Sequence, residues 1–151
     1  MNKGLYLKVL RISAKDTYPI RQKMLRQGFP IEASIFEGDE NEQTFHLGAF
    51  VEGRLVSVAS FFFESNPLID EEFQYRLRGM ATVEEFQRQG LSSELLTMAF
   101  SIVKQNFCNI LWCNAREKAT GFYQNVGFER IGEKFDIPDI GPHYLMFKKL
   151  D

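Results

Sequence analysis

The stretch from Phe73 to Phe107 constrains the fold most. Phe73 to Val83 reads as a β-strand, and a short polar segment follows it. Leu91, Leu95, Leu96, Ala99, Val103 and Phe107 then recur at a helical period, which predicts a long helix with one apolar face. A strand, a tight polar junction and a long helix therefore stand in immediate succession at the middle of the chain.

The flanking segments supply the other elements. Tyr6 to Ile12 alternates apolar and polar residues and predicts a first strand. Asp16 or Thr17 is suited to cap the helix that follows, with Pro19 in its first turn and Gly28 at its end. Residues 30–43 read as a solvated acidic loop carrying Glu37, Asp39, Glu40 and Glu42. Thr44 to Val51 and Arg54 to Phe63 read as a β-hairpin turning at Glu52-Gly53, and Phe61 to Phe63 as core or interface packing. Ile110 to Cys113 predicts a short buried strand, and Glu117 to Val126 a helix that Gly127 ends. Phe128 to Phe135 and His143 to Lys148 predict two last strands. The order β-α-β-β-β-α-β-α-β-β is that of a mixed α/β chain rather than a strict βαβ repeat.

A length of 151 residues, with 44% hydrophobic and 25% charged, suits a single globular domain over residues 1–151. A net charge of −2 lacks the basic excess expected of a nucleic-acid binder. The longest apolar runs fall short of a membrane span, and the charged N-terminus does not read as a secretory signal. The expected location is the cytoplasm. Cys108 and Cys113 read as small buried hydrophobes, and no Cys or His stands at zinc-ligand spacing. No metal site is expected. Neither a P-loop nor a GxGxxG fingerprint is present.

Two segments carry chemistry. The first is VEEFQRQGLSSELL, Val83 to Leu96. A helix start offers backbone N–H groups with no partner inside the helix, and the helix dipole adds positive character there. That combination binds phosphate. Gly90 lets an anion approach the backbone, and Ser92 and Ser93 add hydroxyls. The same features also describe an ordinary capped helix. The second segment is NAREKATGFYQNVGF, Asn114 to Phe128, in which Ala119, Phe122, Tyr123 and Val126 lie at helical spacing. Tyr123 suits either a core aromatic or one whose hydroxyl reaches a cleft edge.

Taken together and in this order, the segments resemble the GNAT superfamily of N-acetyltransferases. Gln87-Arg88-Gln89-Gly90-Leu91-Ser92 follows the superfamily's Gln/Arg-x-x-Gly-x-Gly/Ala loop, with Ser92 in place of the usual Gly or Ala. Phe122 to Phe128 is similar to its Phe-Tyr-x-x-x-Gly-Phe signature. The tail IGPHYLMFKKL resembles the last strand of small bacterial members. Specific matches cover about the C-terminal half, from Phe73 to Leu150, and the N-terminal half agrees in element order.

The resemblance implies a mostly antiparallel central sheet of about six to seven strands flanked by helices, with a cofactor cleft where the fourth and fifth strands splay. It implies acetyl-CoA as acyl donor, with no metal. The implied contacts are Met80, Ala81, Thr82 and Val83 on the fourth strand, then Gln87, Arg88, Gln89, Gly90, Leu91, Ser92 and Ser93 in the loop and helix start. Asn114, Ala119 and Tyr123 complete them. The implied reaction is direct attack of a primary amine, on a small molecule or peptide, upon the acetyl thioester. Tyr123 matches the tyrosine that serves the departing thiolate, and the N–H of Val83 the group that contacts the thioester carbonyl. His143 is the substrate-side candidate for the base, with Tyr144 a further option, because imidazole exchanges protons near neutral pH. Gln74 lies near the position of a glutamate base in some members and cannot act as one. Arg76 and Arg78 share a strand face and suit an anionic substrate group or ion pairs with nearby acids. The alternative implied function is a non-catalytic acyl-CoA sensor or interaction module. A homodimer is one use for the Phe61–Phe63 aromatics, and a buried sheet face is the other.

Overall fold

A computed structural model describes residues 6–151. The strands are β1 (Leu7–Ile12), β2 (Phe45–Val51), β3 (Arg54–Phe63), β4 (Tyr75–Thr82), β5 (Ile110–Arg116), β6 (Glu129–Ile137) and β7 (Gly141–Lys149). The α-helices are α1 (Ala14–Leu25), α2 (Leu91–Gln105) and α3 (Thr120–Asn125), with 3-10 turns at Ile31–Ser34, Glu84–Phe86 and Glu117–Ala119. The seven strands are hydrogen-bonded in the order β1-β2-β3-β4-β5-β7-β6. The β1–β2, β2–β3, β5–β7 and β6–β7 pairs are antiparallel, and β4 and β5 are parallel. This is the mixed, mostly antiparallel sheet with flanking helices that the sequence led us to expect. The chain divides into two compact units, the first running through Phe62 and resuming over Leu77–Ser101, the second formed by Phe63–Arg76 and Ile102–Asp151.

The core of the first unit is built on β2 and β3. Leu47, Ala49, Val56, Val58, Ala59 and Phe61 are wholly buried. The hairpin turns at Glu52 and Gly53, both at positive φ (48° and 80°), the twist that matches paired strands. Leu91, Leu95, Leu96 and Ala99 bury one face of α2, as their spacing predicts. Three expectations are corrected. Helix α1 starts earlier than Asp16 or Thr17: Ser13 is the N-cap, and Asp16 closes a reciprocal capping box with it. Pro19 consequently lies inside the helix, not in its first turn. The carbonyl it deprives of a helical donor belongs to Lys15, an exposed residue. The acidic stretch over 30–43 is also more than a solvated loop. Glu37, Glu40 and Glu42 are exposed, but Asp39 is buried against the Arg21 guanidinium.

That pair anchors a network. Arg21 Nη1 and Nη2 donate to the two Asp39 carboxylate oxygens at 2.7 and 2.9 Å, and also to the Ser34 carbonyl and the Ser60 hydroxyl. Ser60 Oγ lies 2.7 Å from His46 Nδ1, and His46 Nε2 lies 2.9 Å from the Asp39 carbonyl. A carbonyl only accepts, so Nε2 carries the hydrogen and the neutral imidazole accepts at Nδ1 from Ser60. Burial holds the His46 pKa below 6.5, against the opposing effect of the Asp39 carbonyl. The unfolded chain takes up this proton first as pH falls. The contribution to stability is therefore present above about pH 6.5 and is lost as pH falls toward the folded value. Urea midpoints are expected to drop between pH 7.5 and 5.5, and His46→Gln to flatten that drop; equal slopes for the two proteins would refute it.

In the second unit Ile69, Ile110, Trp112 and Leu145 form an apolar cluster. Gln74, almost fully buried, donates from Nε2 to the Ile69 and Glu71 carbonyls and accepts from the Asn66 N–H. It holds the loop before β4. Arg76 pairs with Glu64 at 3.0 Å and lies over the Trp112 ring, the ion-pair use of that residue. Cys108 and Cys113 are buried and free, as expected of small hydrophobes. Phe107 corrects the predicted stripe: it lies past the end of α2 at φ +62° and is 92% exposed. Helix α2 closes with the Cys108 N–H bonded to the Val103 carbonyl, which turns Phe107 out of the helical path. Strand β5 runs to Arg116, beyond the predicted end at Cys113, because β7 pairs with it along its whole length. The predicted helix over 117–126 begins as a 3-10 turn, and Gly127 at φ +101° follows its end. Phe61 and Phe62 are buried in the first unit, whereas Phe63, at the edge of the second, is 40% exposed.

Candidate active site

In the first unit the candidate residues follow one another around the end of β4. Ala81 and Val83 are buried, and Met80 and Thr82 are half-buried. The Val83 N–H donates to the Val56 carbonyl at 2.9 Å. That corrects its assignment as the donor to a thioester carbonyl, since β3 already uses it. The Gln87 side chain donates to the Thr82 carbonyl at 3.0 Å, and Gln89 to the Glu85 carbonyl at 3.2 Å. Both glutamines thus brace the loop they belong to. Arg88 at φ +61° and Gly90 at φ +82° take left-handed conformations, which turn the chain sharply into α2.

The helical ladder begins when the Glu94 N–H donates to the Gly90 carbonyl. The N–H groups of Leu91, Ser92 and Ser93 therefore precede any partner within the helix. A Cβ placed on Gly90 would meet nothing within 4 Å. The space beside this helix start is open, and its donors are backbone N–H and hydroxyl groups. That donor set fits a phosphate-bearing ligand such as coenzyme A. Behind it, Thr82 Oγ1 lies 2.7 Å from Ser57 Oγ and 3.4 Å from Ser92 Oγ. Sequence reasoning missed Ser57; its only signal was a hydroxyl within the apolar run VSVASFFF.

In the second unit Asn114 lies on β5, paired with Leu145, rather than after the strand. Ala119 is the residue before α3. Tyr123 is buried between the rings of Phe122 and Phe128, with centroids 5.2 and 5.3 Å away. Burial pushes its hydroxyl well above the ordinary tyrosine pKa; Cys113 adds to that and Arg116 opposes it. Tyr123 therefore stays protonated at physiological pH and keeps a hydroxyl hydrogen to donate. His143 lies on β7, the strand predicted to contain it, and is buried, with the Phe135 ring 6.0 Å away. The Nδ1 atom is 2.7 Å from the Gly141 carbonyl. Nδ1 thus carries the hydrogen of the neutral ring, and Nε2 keeps its lone pair. Among the described residues, no group of three or more His, Cys, Asp or Glu is placed to hold a metal ion, and no helix is long and apolar enough to cross a membrane.

Residues 28–140 match the family described as "Acetyltransferase (GNAT) domain", and the chain belongs to this family of N-acetyltransferases. It is 44% identical over 144 residues to the Bacillus subtilis (strain 168) protein named "Uncharacterized N-acetyltransferase YitI", covering 95% of this chain and 97% of that one. Two solved structures share the fold. FeeM, an N-acyl amino acid synthase from uncultured soil microbes, superposes with a TM-score of 0.80 at 14% identity, over 97% of this chain and 92% of its own. An aminoglycoside 6'-N-acetyltransferase complexed with coenzyme A does so with 0.75 at 10% identity, over 95% and 97%.

Proposed function

We propose that the protein transfers an acetyl group from acetyl-CoA to a primary amine of a small molecule or peptide. Gly90 is the observation that carries this reading: an open, left-handed residue at the start of α2, beside backbone donors without helical partners. Membership of the GNAT family and the coenzyme A complex of a protein with the same fold support it. The donor, when bound, supplies an activated thioester. The helix start and the loop of Gln87, Arg88, Gln89, Gly90, Leu91, Ser92 and Ser93 are assigned to its phosphates. Met80 to Val83, with Asn114 and Ala119, are assigned to its arm.

His143 is assigned to take the proton from the attacking ammonium, through the lone pair at Nε2. Tyr123 is assigned to the leaving group. Transfer of its proton to a thiolate is uphill by about 2 kcal/mol even with an ordinary phenol, and burial adds to that. Tyr123 thus stabilises the thiolate by donating a hydrogen bond. Tyr123→Phe is expected to lower kcat by about ten-fold or more while acetyl-CoA affinity stays within about two-fold, the pattern of an interaction made in the transition state. Unchanged turnover would remove this role. The whole reading is tested by calorimetric titration with acetyl-CoA, followed by a screen of amines for release of free thiol. A folded protein that does not bind acetyl-CoA would overturn it.

A further inference from the structure

We propose that Ser57 is a positioning residue for the acyl donor, completing a chain of hydroxyls that runs from Ser57 through Thr82 to Ser92 at the start of α2. This rests on the assignment of that helix start to the donor's phosphates. Ser57 is wholly buried on β3, so it reaches a ligand only through other groups. Its Oγ lies 2.7 Å from Thr82 Oγ1 and 3.4 Å from the Ala81 carbonyl. Thr82 Oγ1 lies 3.4 Å from Ser92 Oγ.

A hydroxyl donates one hydrogen and accepts others, so such a chain runs in either of two directions. Inward, Ser92 donates to Thr82, Thr82 to Ser57, and Ser57 to the Ala81 carbonyl. Outward, Ser57 donates to Thr82 and Thr82 to Ser92, which frees the Ser92 hydrogen for a ligand. A phosphate oxygen only accepts, so a bound anion selects the outward direction. Ser57 is then the first donor: it satisfies the Thr82 oxygen once the Thr82 hydrogen has turned toward Ser92. Hydrogen bonds aligned in one direction polarise one another, so the innermost hydroxyl strengthens the outermost.

The test is a double-mutant cycle on acetyl-CoA affinity, read by calorimetry, with Ser57→Ala, Ser92→Ala and the double variant. Ser57→Ala is expected to weaken binding about five-fold, the scale of one net hydrogen bond. In the Ser92→Ala background the same change is expected to have no further effect. Thr82→Val, which breaks the chain at its middle link, is expected to show the same coupling to Ser92, and it serves should Ser57→Ala fail to fold. Ser57 as packing alone would shift affinity equally in both backgrounds, or leave it unchanged, and either result overturns the proposal. A wild-type protein that does not bind acetyl-CoA would instead sink the assignment of the helix start.

Discussion

Asp39→Ala is expected to destabilise the protein by about 3–5 kcal/mol, the cost of leaving a buried charge without its partner. The side chains of Arg21 and Asp39 are 0% and 2% exposed, so water cannot take over the lost contacts. The carboxylate does two things at once. It receives both guanidinium nitrogens, and its Oδ2 also accepts the Phe36 N–H at 2.8 Å, which shapes the loop after α1. Removing it strands Arg21 among Phe36, the Ser34 carbonyl and Ser60. Arg21 Nε already lacks a hydrogen-bond partner. Gly79 on β4 packs against this group, since a Cβ there would come within 3.1 Å of Arg21 Nε. A loss of this size is a large share of the stability of a small domain. Urea denaturation at constant pH measures it. Arg21→Met combined with Asp39→Leu, which removes both charges, is expected to recover much of the loss. A single-variant loss below about 1 kcal/mol would show the pair to be solvated in solution.

Gly90→Glu is expected to weaken acetyl-CoA binding at least about 100-fold, close to 2.7 kcal/mol, with a far smaller change in stability. Two effects separate here. Any side chain at φ +82° costs about 1–2 kcal/mol of backbone strain. There is room for the new side chain, since a Cβ meets nothing within 4 Å. A carboxylate near a helix N-terminus interacts favourably with the dipole, which offsets part of the strain. The same carboxylate competes with phosphate for the N–H groups of Leu91, Ser92 and Ser93, and repels it. Gly90→Ala is the control: it carries the strain without the charge and is expected to retain most of the affinity. If Glu and Ala weaken binding equally, the effect belongs to the backbone and not to an anion site. If neither does, the phosphates bind elsewhere.

Much of this protein was legible in the order of its residues. Alternation marked β1 and a 3.6-residue repeat marked α2, because each pattern suits only one backbone geometry, and turn residues and apolar runs marked the hairpin and β5. The hairpin turn at Glu52-Gly53 and the helix stop at Gly127 were equally plain, since both sit at positive φ where glycine belongs. The family, too, was written in the loop Gln87 to Ser92 and the signature Phe122 to Phe128. Element ends were less legible. Ser13 and not Asp16 caps α1, and β5 outruns Cys113, because a distant strand, β7, supplies the bonds that extend it.

Only the tertiary structure decided the fate of the polar groups. The acidic run Glu37 to Glu42 looks uniform, yet Asp39 alone among its acids is buried, because Arg21 on α1 is buried with it. Val83, just past the end of β4, stands where the resemblance puts a free N–H, but the carbonyl of Val56 already accepts it. Ser57 reads as an ordinary strand residue until Thr82 comes within 2.7 Å. Local pattern follows from the geometry of neighbours along the chain, which the sequence contains. Whether a hydrogen bond or a charge is satisfied depends on partners 18 to 27 residues away, and only folding brings those together.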